Sequence, residues 1–225
     1  MMIKTRWFSG AAVGVSLLVS SALVNAQGVG LLPSDTAQVR DSEWVDITAG
    51  AVFSDDQQFY GARDTFSILP EFRLFVDLGV VNRDTYDADL GAQVGALYAI
   101  NLDTEFDNAV RASLYGSTGD QVGELGATLS WIVSYQPLEN GVIFYGGLGL
   151  EIDNKNFKER ITNTSLLDAT GADFTLTTIE PSSNDTKAYP LINIGAFMPI
   201  TEHVNVFAEF AYTDNLWIGV GLRVR

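Results

Sequence analysis

The feature that most constrains this chain is a period of two in its apolar segments. In the segment 71–81, every second residue from Phe72 to Val80 is apolar, whereas Arg73 and Asp77 take the opposite parity. The same alternation recurs at 108–116, 203–212 and 215–225. Because a strand sends successive side chains to opposite faces, each such segment predicts a strand with one apolar and one polar face.

Segments of this kind follow one another along most of the chain. Nine are clear, at 44–53, 71–81, 86–100, 108–116, 124–136, 141–151, 188–200, 203–212 and 215–225. A tenth, 57–68, is weaker because either parity carries a charge, Arg63 or Asp64. Alternating segments of about ten residues joined by turns are typical of an all-β fold, the closed antiparallel up-and-down transmembrane β-barrel. The sequence therefore predicts about ten strands, with eight as the alternative if everything before about residue 70 lies outside the barrel.

The predicted connections differ between the two ends of the barrel. Short turns fall at one end, around Leu69-Pro70 and within NLDTEFDN, QPLENG and PITEH. The opposite end receives short acidic segments and the long polar stretch 152–187. Outer-membrane barrels have short periplasmic turns and longer extracellular loops. We therefore expect 152–187 to be a long extracellular loop, in which DFTLTTI is a candidate for a hairpin beyond the membrane.

The polar parity indicates which face points inward. It also carries many glycines, at Gly91, Gly95, Gly126, Gly147, Gly149, Gly195, Gly219 and Gly221. Small residues suit a narrow lumen, whereas the opposite, largely aliphatic parity suits lipid. An arginine on the lipid face at the bilayer midplane costs about 2–4 kcal/mol, so the arginines are expected inside. The rival interpretation is a soluble exported β-barrel or sandwich that binds an apolar ligand with its apolar face turned inward.

The N-terminal region predicts export. Lys4 and Arg6 precede the apolar run AAVGVSLLVSSALV, and small residues precede Gln27, so residues 1–26 are expected to be a signal peptide. The next stretch, 27–42, has no period and predicts a flexible N-terminal segment. The barrel is expected to occupy 43–225.

Charge and cysteine content exclude several classes of function. Without the leader the chain carries 11 Lys+Arg against 28 Asp+Glu, a net charge of −17. Phosphate binding needs a basic face, so this balance argues against a nucleic-acid partner. The chain has no cysteine, which excludes disulfides, thiolate catalysis and cysteine-based metal sites.

The leader, the alternation and the last three strands, LINIGAFMPITEHVNVFAEFAYTDNLWIGVGLRVR, resemble the small outer-membrane β-barrel proteins of Gram-negative bacteria. The resemblance is one of class and covers most of the mature chain. It implies location in the cell outer membrane and contact with outer-membrane lipid and lipopolysaccharide. It also implies insertion by the outer-membrane assembly machinery and a monomeric, porin-like barrel. One departure is the C-terminus, where such barrels usually carry an aromatic residue and this chain has Arg225.

No constellation in the sequence predicts catalysis, so the chain is expected not to be an enzyme. Nucleophilic hydrolysis would need a histidine beside a serine or threonine and an acid, and the only histidine is His203, in a turn expected to be periplasmic. We predict no catalytic residue, no metal site and no cofactor, because no phosphate loop, G-x-S-x-G motif or set of metal-spaced ligands occurs.

The charges on the inward parity form the candidate site, a lumen charge network. Its members are Asp46, Glu71, Arg73, Asp77, Asp89, Arg111, Glu124, Glu151, Glu209 and Arg223. One interpretation is a set of ion pairs that fills a narrow barrel with a structural or surface-interaction role in the envelope. The alternative is a narrow small-solute channel whose acidic excess gives it a weak cation preference.

Overall fold

The computed structural model describes residues 29–32, 35–38, 45–84, 86–100, 102, 105–119, 122–137, 141–167 and 173–225. The predicted signal peptide, residues 1–26, lies outside the described residues, as do 27–28, 33–34 and 39–42 of the predicted N-terminal segment. Within the described part of the chain, no helix is long and apolar enough to cross a bilayer.

Twelve strands account for most of the described chain. They are β1 Val45–Phe53, β2 Gln57–Leu69, β3 Phe72–Arg83, β4 Tyr86–Ile100, β5 Asp107–Thr118, β6 Val122–Tyr135, β7 Ile143–Phe157, β8 Arg160–Leu167, β9 Asp173–Glu180, β10 Ser183–Pro199, β11 Val204–Tyr212 and β12 Leu216–Val224.

Ten of these strands close into an antiparallel barrel. Sequence neighbours pair throughout, β7 pairs with β10, and β12 closes the barrel against β1. The strands β8 and β9 form a separate two-stranded hairpin between β7 and β10. The predicted ten-stranded up-and-down barrel is therefore confirmed, and the eight-stranded alternative is wrong, because the ambiguous segment forms β2 and pairs with both β1 and β3.

The two ends of the barrel are unlike. The end that holds Val45 and Val224 has short connections, and we name it the terminal end; the end from which β8 and β9 project is the hairpin end. The stretch 152–187 is mostly strand rather than loop, because β7 and β10 stay paired as far as Phe157 and Ser183. The alternation of apolar and polar residues stops near residue 152, which is why the sequence predicted a loop there. The strands continue beyond this point because their pairing needs only backbone hydrogen bonds.

The outer surface is apolar and the interior is polar. Leu90, Leu148 and Leu125 are 72%, 66% and 65% exposed on the outside, whereas Arg63 and Arg111 are fully buried inside. This orientation contradicts the soluble rival, which required the aliphatic parity to face inward. A closed sheet also leaves no unpaired edge, as hydrocarbon requires.

A row of inward glycines crosses five neighbouring strands. Gly221 pairs with Gly50, Gly50 with Gly61, Gly61 with Gly79, and Gly79 with Gly91. With no side chains in the row, the lumen is wide enough at this level to hold other groups.

Aromatic rings lie over that glycine row. A Cβ on Gly61 would lie 2.5 Å from Cζ of Phe59, and one on Gly221 would lie 2.6 Å from Cε1 of Phe207. These separations are too short for real atoms, so the rings need glycine beneath them. The inward glycines therefore serve the packing of the lumen.

Candidate functional site: the barrel lumen

The lumen contains part of the chain's own N-terminal region. Residues 29–32 and 35–38, which we name the lumen segment, are buried among the inward-facing side chains apart from the partly exposed Gln38. Val29, Leu31 and Ala37 are 0% exposed. The sequence predicted only a flexible segment here and missed this position inside the barrel.

The middle of the lumen segment is held by an ion pair between two barrel strands. Arg63 on β2 donates from Nε to Oδ1 of Asp77 on β3 at 2.6 Å and from Nη2 to Oδ2 at 2.8 Å. The Arg63 Nη2 atom also donates to the carbonyl of Leu31 at 2.7 Å, and the Leu31 N–H donates to Asp77 Oδ2 at 2.8 Å. Both polar groups of the Leu31 backbone are thus satisfied by one bidentate pair, and such charge-assisted bonds are the strong ones.

Gly30 gives the lumen segment its turn beside this pair. Its φ of 105° lies in a region that L side chains rarely adopt. A Cβ there would also lie 3.0 Å from Oδ2 of Asp77. Glycine is therefore required at this point on two counts.

Asp35 ties the lumen segment to two arginines of the barrel wall. Its Oδ1 accepts from Nη1 of Arg73 at 3.0 Å and lies 3.5 Å from Nη2 of Arg223. Arg73 also donates from Nη2 to the carbonyl of Thr36 at 2.5 Å. The Arg223 guanidinium lies over the ring of Phe197, 4.1 Å from its centroid. One carboxylate of the segment thus lies between cations from β3 and β12.

The lumen segment reaches the terminal end of the barrel at residue 38. The Ala37 N–H donates to Oγ of Ser134 at 3.0 Å, and Gln38 donates from Nε2 to the side-chain oxygen of Gln136 at 2.8 Å. A cavity of about 570 Å³ lies at this end of the barrel, and the residues that line it include Gln38, Gln136 and Arg225. This cavity is the mouth of the barrel beneath the segment.

Apolar side chains of the lumen segment pack against the inward glycines of the barrel wall. Val29, Leu31 and Leu32 form one buried cluster with inward residues that include Phe59 and Trp217. A Cβ on Gly91 would lie 2.9 Å from Cγ1 of Val29, and one on Gly219 would lie 2.9 Å from Cδ1 of Leu32. The small inward residues that the sequence assigned to a narrow lumen therefore also make room for the segment.

The hairpin end of the lumen has a charge cluster of its own, made only of strand side chains. Arg83 on β3 is paired with Asp89 on β4 and lies 2.6 Å from Oε2 of Glu124 on β6. Its Nη2 also donates to Oγ of Ser117 at 3.0 Å, and its Nε donates to Gln57 at 3.1 Å. Arg83 thus links β3 to four other strands without help from the lumen segment.

Two further carboxylates are held by tyrosines. The Tyr115 hydroxyl donates to Oε1 of Glu151 at 2.5 Å. The Tyr145 hydroxyl donates to Oε2 of Glu209 at 2.7 Å, and Asn193 donates to Oε1 of Glu209 at 2.9 Å. Neutral donors, rather than arginines, bind these two acids: both oxygens of Glu209 accept hydrogen bonds, whereas Oε2 of Glu151 has no partner among the described residues.

The structure buries nine of the ten residues predicted for the lumen charge network. These are Asp46, Arg73, Asp77, Asp89, Arg111, Glu124, Glu151, Glu209 and Arg223. The tenth, Glu71, is a correction: it is exposed in the turn between β2 and β3, because β2 ends at Leu69 and β3 begins only at Phe72.

The predicted members do not form one network. Arg73 and Arg223 meet Asp35, and Asp77 meets Arg63, so each partner is a residue that the prediction left out. The guanidinium of Arg111 stacks on the ring of Phe75, 4.4 Å from its centroid, and none of its three nitrogens donates to another described residue.

The missed residues carried weak or ambiguous signals. Arg83 and Asp153 have the inward parity of their strands but lie in stretches that the sequence assigned to loops. The sequence did not decide whether Arg63 or Asp64 faces inward, because the two charges are adjacent. Asp35 lies in a stretch with no alternation. Extending the parity of β3 by two residues would have found Arg83.

Among the described residues outside the strands, one acidic group has a shifted pKa. Asp214 lies in the turn between β11 and β12, where burial raises its pKa. The Thr213 hydroxyl donates to its Oδ1 at 3.1 Å, and this bond opposes that rise in the pKa. His203 lies exposed in the turn between β10 and β11.

No group of three or more histidine, cysteine or acidic residues within the described chain could hold a metal ion. The prediction that the chain is not an enzyme stays a prediction.

Comparison with known proteins bears on the fold alone. No protein-family model and no curated protein matches the chain. Among solved structures, the N-terminal β-barrel domain of OprF from Pseudomonas aeruginosa is 13% identical, with a TM-score of 0.39 over 83% of this chain and 98% of that one.

Two further structures show the same low level of likeness. The KdgM porin is 10% identical, with a TM-score of 0.42 over 80% of this chain and 99% of that one. Ail, the attachment invasion locus protein of Yersinia pestis, is 10% identical, with a TM-score of 0.32 over 80% of this chain and 96% of that one. The chain itself is a closed antiparallel barrel of ten strands with an apolar exterior.

Proposed function

We propose that this chain is a monomeric integral outer-membrane barrel whose lumen is closed by its own lumen segment. Its role is non-enzymatic, in envelope structure or in surface interaction through the β8–β9 hairpin. The terminal end faces the periplasm and the hairpin end faces outward. Outer-membrane lipid and lipopolysaccharide surround the barrel, and the assembly machinery inserts it.

The apolar exterior supports the membrane location. Its outward positions are aliphatic or aromatic on nearly every strand, and many are more than half exposed, for example Leu78 at 63% and Ile194 at 65%. A soluble monomer rarely exposes so large a continuous apolar area. Hydrocarbon is the solvent in which this surface is favourable.

The single observation that carries the closed lumen is the burial of the lumen segment. Its backbone bonds to Arg63, Asp77, Arg73 and Ser134, which belong to the three strands β2, β3 and β6. Ten-stranded barrels are only slightly wider than eight-stranded ones, which side chains fill. A chain segment across such a lumen leaves little room for a continuous water path.

A disulfide tests this placement directly, because the natural chain has no cysteine. A Cβ on Gly219 would lie 3.8 Å from the Cβ of Leu32. That is the mean Cβ separation across a disulfide, so Leu32→Cys with Gly219→Cys should oxidise readily in the folded barrel. The matched control pairs Leu32→Cys with Gly116→Cys, since Gly116 faces outward on β5 and should not cross-link.

Planar-bilayer recording then tests closure. The natural chain and the oxidised double variant should show no discrete openings, whereas deletion of residues 29–38 should open the barrel. Steady conductance from the oxidised barrel would contradict the proposal, because the segment would then be in place without closing the lumen.

The acidic balance at the hairpin end favours a second candidate function, a narrow cation-preferring channel that opens when the segment leaves. Asp89, Glu124, Glu151 and Asp153 point into this half, against Arg83 and the partly exposed Lys155. Openings of the natural chain with a cation-selective reversal potential would favour this function. An anion-selective potential in the deletion variant would exclude it.

A further inference from the structure

One acidic residue lies on the outside of the barrel. Asp64 on β2 is exposed, and its strand neighbours Arg63 and Thr65 are buried in the lumen. It pairs in register with Ile47 on β1 and with Val76 on β3. The side chain therefore stands on the outer surface among aliphatic neighbours.

No other charge occupies that surface. Among the outward positions of the ten barrel strands whose side chains the structure describes, Asp64 is the only aspartate, glutamate, lysine, arginine or histidine. None of the hydrogen bonds or ion pairs between described residues includes it. A lone carboxylate on a lipid-facing surface is costly, and residues of this kind commonly mark functional contacts.

The position of Asp64 along β2 keeps it away from the membrane edge. Phe66 and Ile68 lie between it and the terminal end on the same face, and they are 42% and 53% exposed. Leu69, where β2 ends, is five residues away, which is about 12 Å along the barrel axis for a strand tilted by about 40°. An aspartate, with a single methylene, cannot reach across that distance to a lipid headgroup.

We propose that Asp64 is the docking point for a membrane-embedded segment of another protein that carries a lysine or arginine at the same depth. This inference rests on the proposed membrane location. Charge complementarity identifies the occupant: the carboxylate needs a cation, and the cation must be brought into the hydrocarbon. A second copy of this chain does not supply one, because its described outward strand positions carry no basic residue.

The surface around Asp64 suits close approach by such a segment. Ala62 precedes it on the same face of β2 and pairs with Ala49 on β1. Small residues let a neighbouring backbone come near, which shortens the distance to a cation and strengthens the pair. The flanking Ile47, Val76 and Phe66 side chains would exclude lipid from the contact.

A model transmembrane peptide tests the chemistry. The probe is a leucine-rich helix of about 20 residues with one lysine in its apolar span, and its control has leucine at that position. The full-length barrel carries a fluorophore on Val80→Cys, an outward residue of β3, in phosphatidylcholine vesicles, and the peptides carry a quencher. We expect the lysine peptide to bind about fivefold more tightly than the leucine peptide, and Asp64→Asn to remove that preference.

The label position supplies the matched control. The same fluorophore on Ala112→Cys, an outward alanine of β5, should report no preference for the lysine peptide. Equal affinity of the two peptides at Val80→Cys, or a preference that survives Asp64→Asn, would overturn the proposal. Loss of the preference when phosphatidylethanolamine is added would also overturn it, in favour of a lipid ammonium group.

The same labels separate this proposal from the membrane location on which it rests. If Ala112→Cys in the reconstituted barrel reacts with a water-soluble maleimide, the membrane location fails and the peptide result has no meaning. If that cysteine is protected and the lysine preference is absent, the barrel spans the bilayer and only the docking site is wrong.

Discussion

The charged side chains in the two halves of the lumen are paired in different ways. Towards the terminal end, the arginines Arg63, Arg73 and Arg223 all meet the lumen segment or the acid that holds it. Towards the hairpin end, Arg83 meets Asp89 and Glu124, which belong to the barrel wall. The ion pairs of the first half include a piece of chain that is not part of the sheet, whereas those of the second half lie within the barrel wall.

This difference teaches that closure of the lumen is coupled to the stability of the barrel only through the contacts that include the lumen segment. Pairs within the wall tie strands together wherever the N-terminal region lies. Pairs that include the lumen segment hold this segment in the lumen as a plug. If the segment departs, buried arginines lose their partners. A buried charge that loses its partner is strongly destabilising, so the plug is expected to stay in place.

The largest effect should follow from breaking the pair that holds Leu31. Asp77→Leu leaves Arg63 uncompensated and removes the acceptor for the Leu31 N–H, so we expect a loss of about 3–5 kcal/mol in unfolding free energy. Urea unfolding in detergent micelles measures it. The double variant Arg63→Met with Asp77→Leu should recover part of the loss, because no charge is then stranded. A loss under about 1 kcal/mol in the single variant would contradict the role given to this pair.

A matched change at the hairpin end should spare the plug. Arg83→Met leaves Asp89 and Glu124 without their cation, and we expect a loss of about 2–3 kcal/mol, since this site is nearer to water. The yield of the Leu32→Cys/Gly219→Cys disulfide should be unchanged in this background and reduced in the Asp77→Leu background. Equal reduction in both would show that the two halves are not independent.

The sequence could predict the barrel because its signal is repeated on every strand. Parity along β3, β5 and β12 assigns Arg73, Arg111 and Arg223 to the lumen, and the structure buries all three. Only β2 was ambiguous, because Arg63 and Asp64 are adjacent and take opposite faces. The pair with Asp77 explains why Arg63 is inside: β3 offers a buried carboxylate directly opposite it.

The lumen segment could not be predicted in the same way. Its backbone bonds to side chains such as Asp77, Arg73 and Ser134 instead of to a neighbouring strand, so it needs no alternation. The features that do specify it are single residues: Gly30 for its positive φ, Asp35 for two arginines, and glycines on other strands that receive its side chains. Such contacts join distant parts of the sequence and leave no local pattern.

A smaller effect should come from filling one of those glycine positions. Gly219→Val places side-chain atoms where Leu32 lies, since even a Cβ would be 2.9 Å from its Cδ1. Overpacking of this kind costs about 1–3 kcal/mol, measured again by urea unfolding. Adding Leu32→Ala should restore most of the loss. The control is Gly123→Val on β6, where the nearest atom to a Cβ is 3.9 Å away, and a comparable loss there would contradict the explanation.

The smallest effect should come from the turn between β11 and β12 at the hairpin end. Burial raises the pKa of Asp214 above its ordinary value, so ionisation is less favourable in the folded turn than in the unfolded chain. The stability that this group contributes is therefore present in acid and is lost as the pH rises through the raised pKa. Asp214→Asn should slow amide hydrogen exchange at Thr213 and Asn215, relative to the natural chain, more at pH 8 than at pH 4. If Asp214→Asn slows exchange equally at both pH values, the effect would come from hydrogen bonds made by the asparagine side chain. The charge of the carboxylate would then have no effect on the stability of the turn.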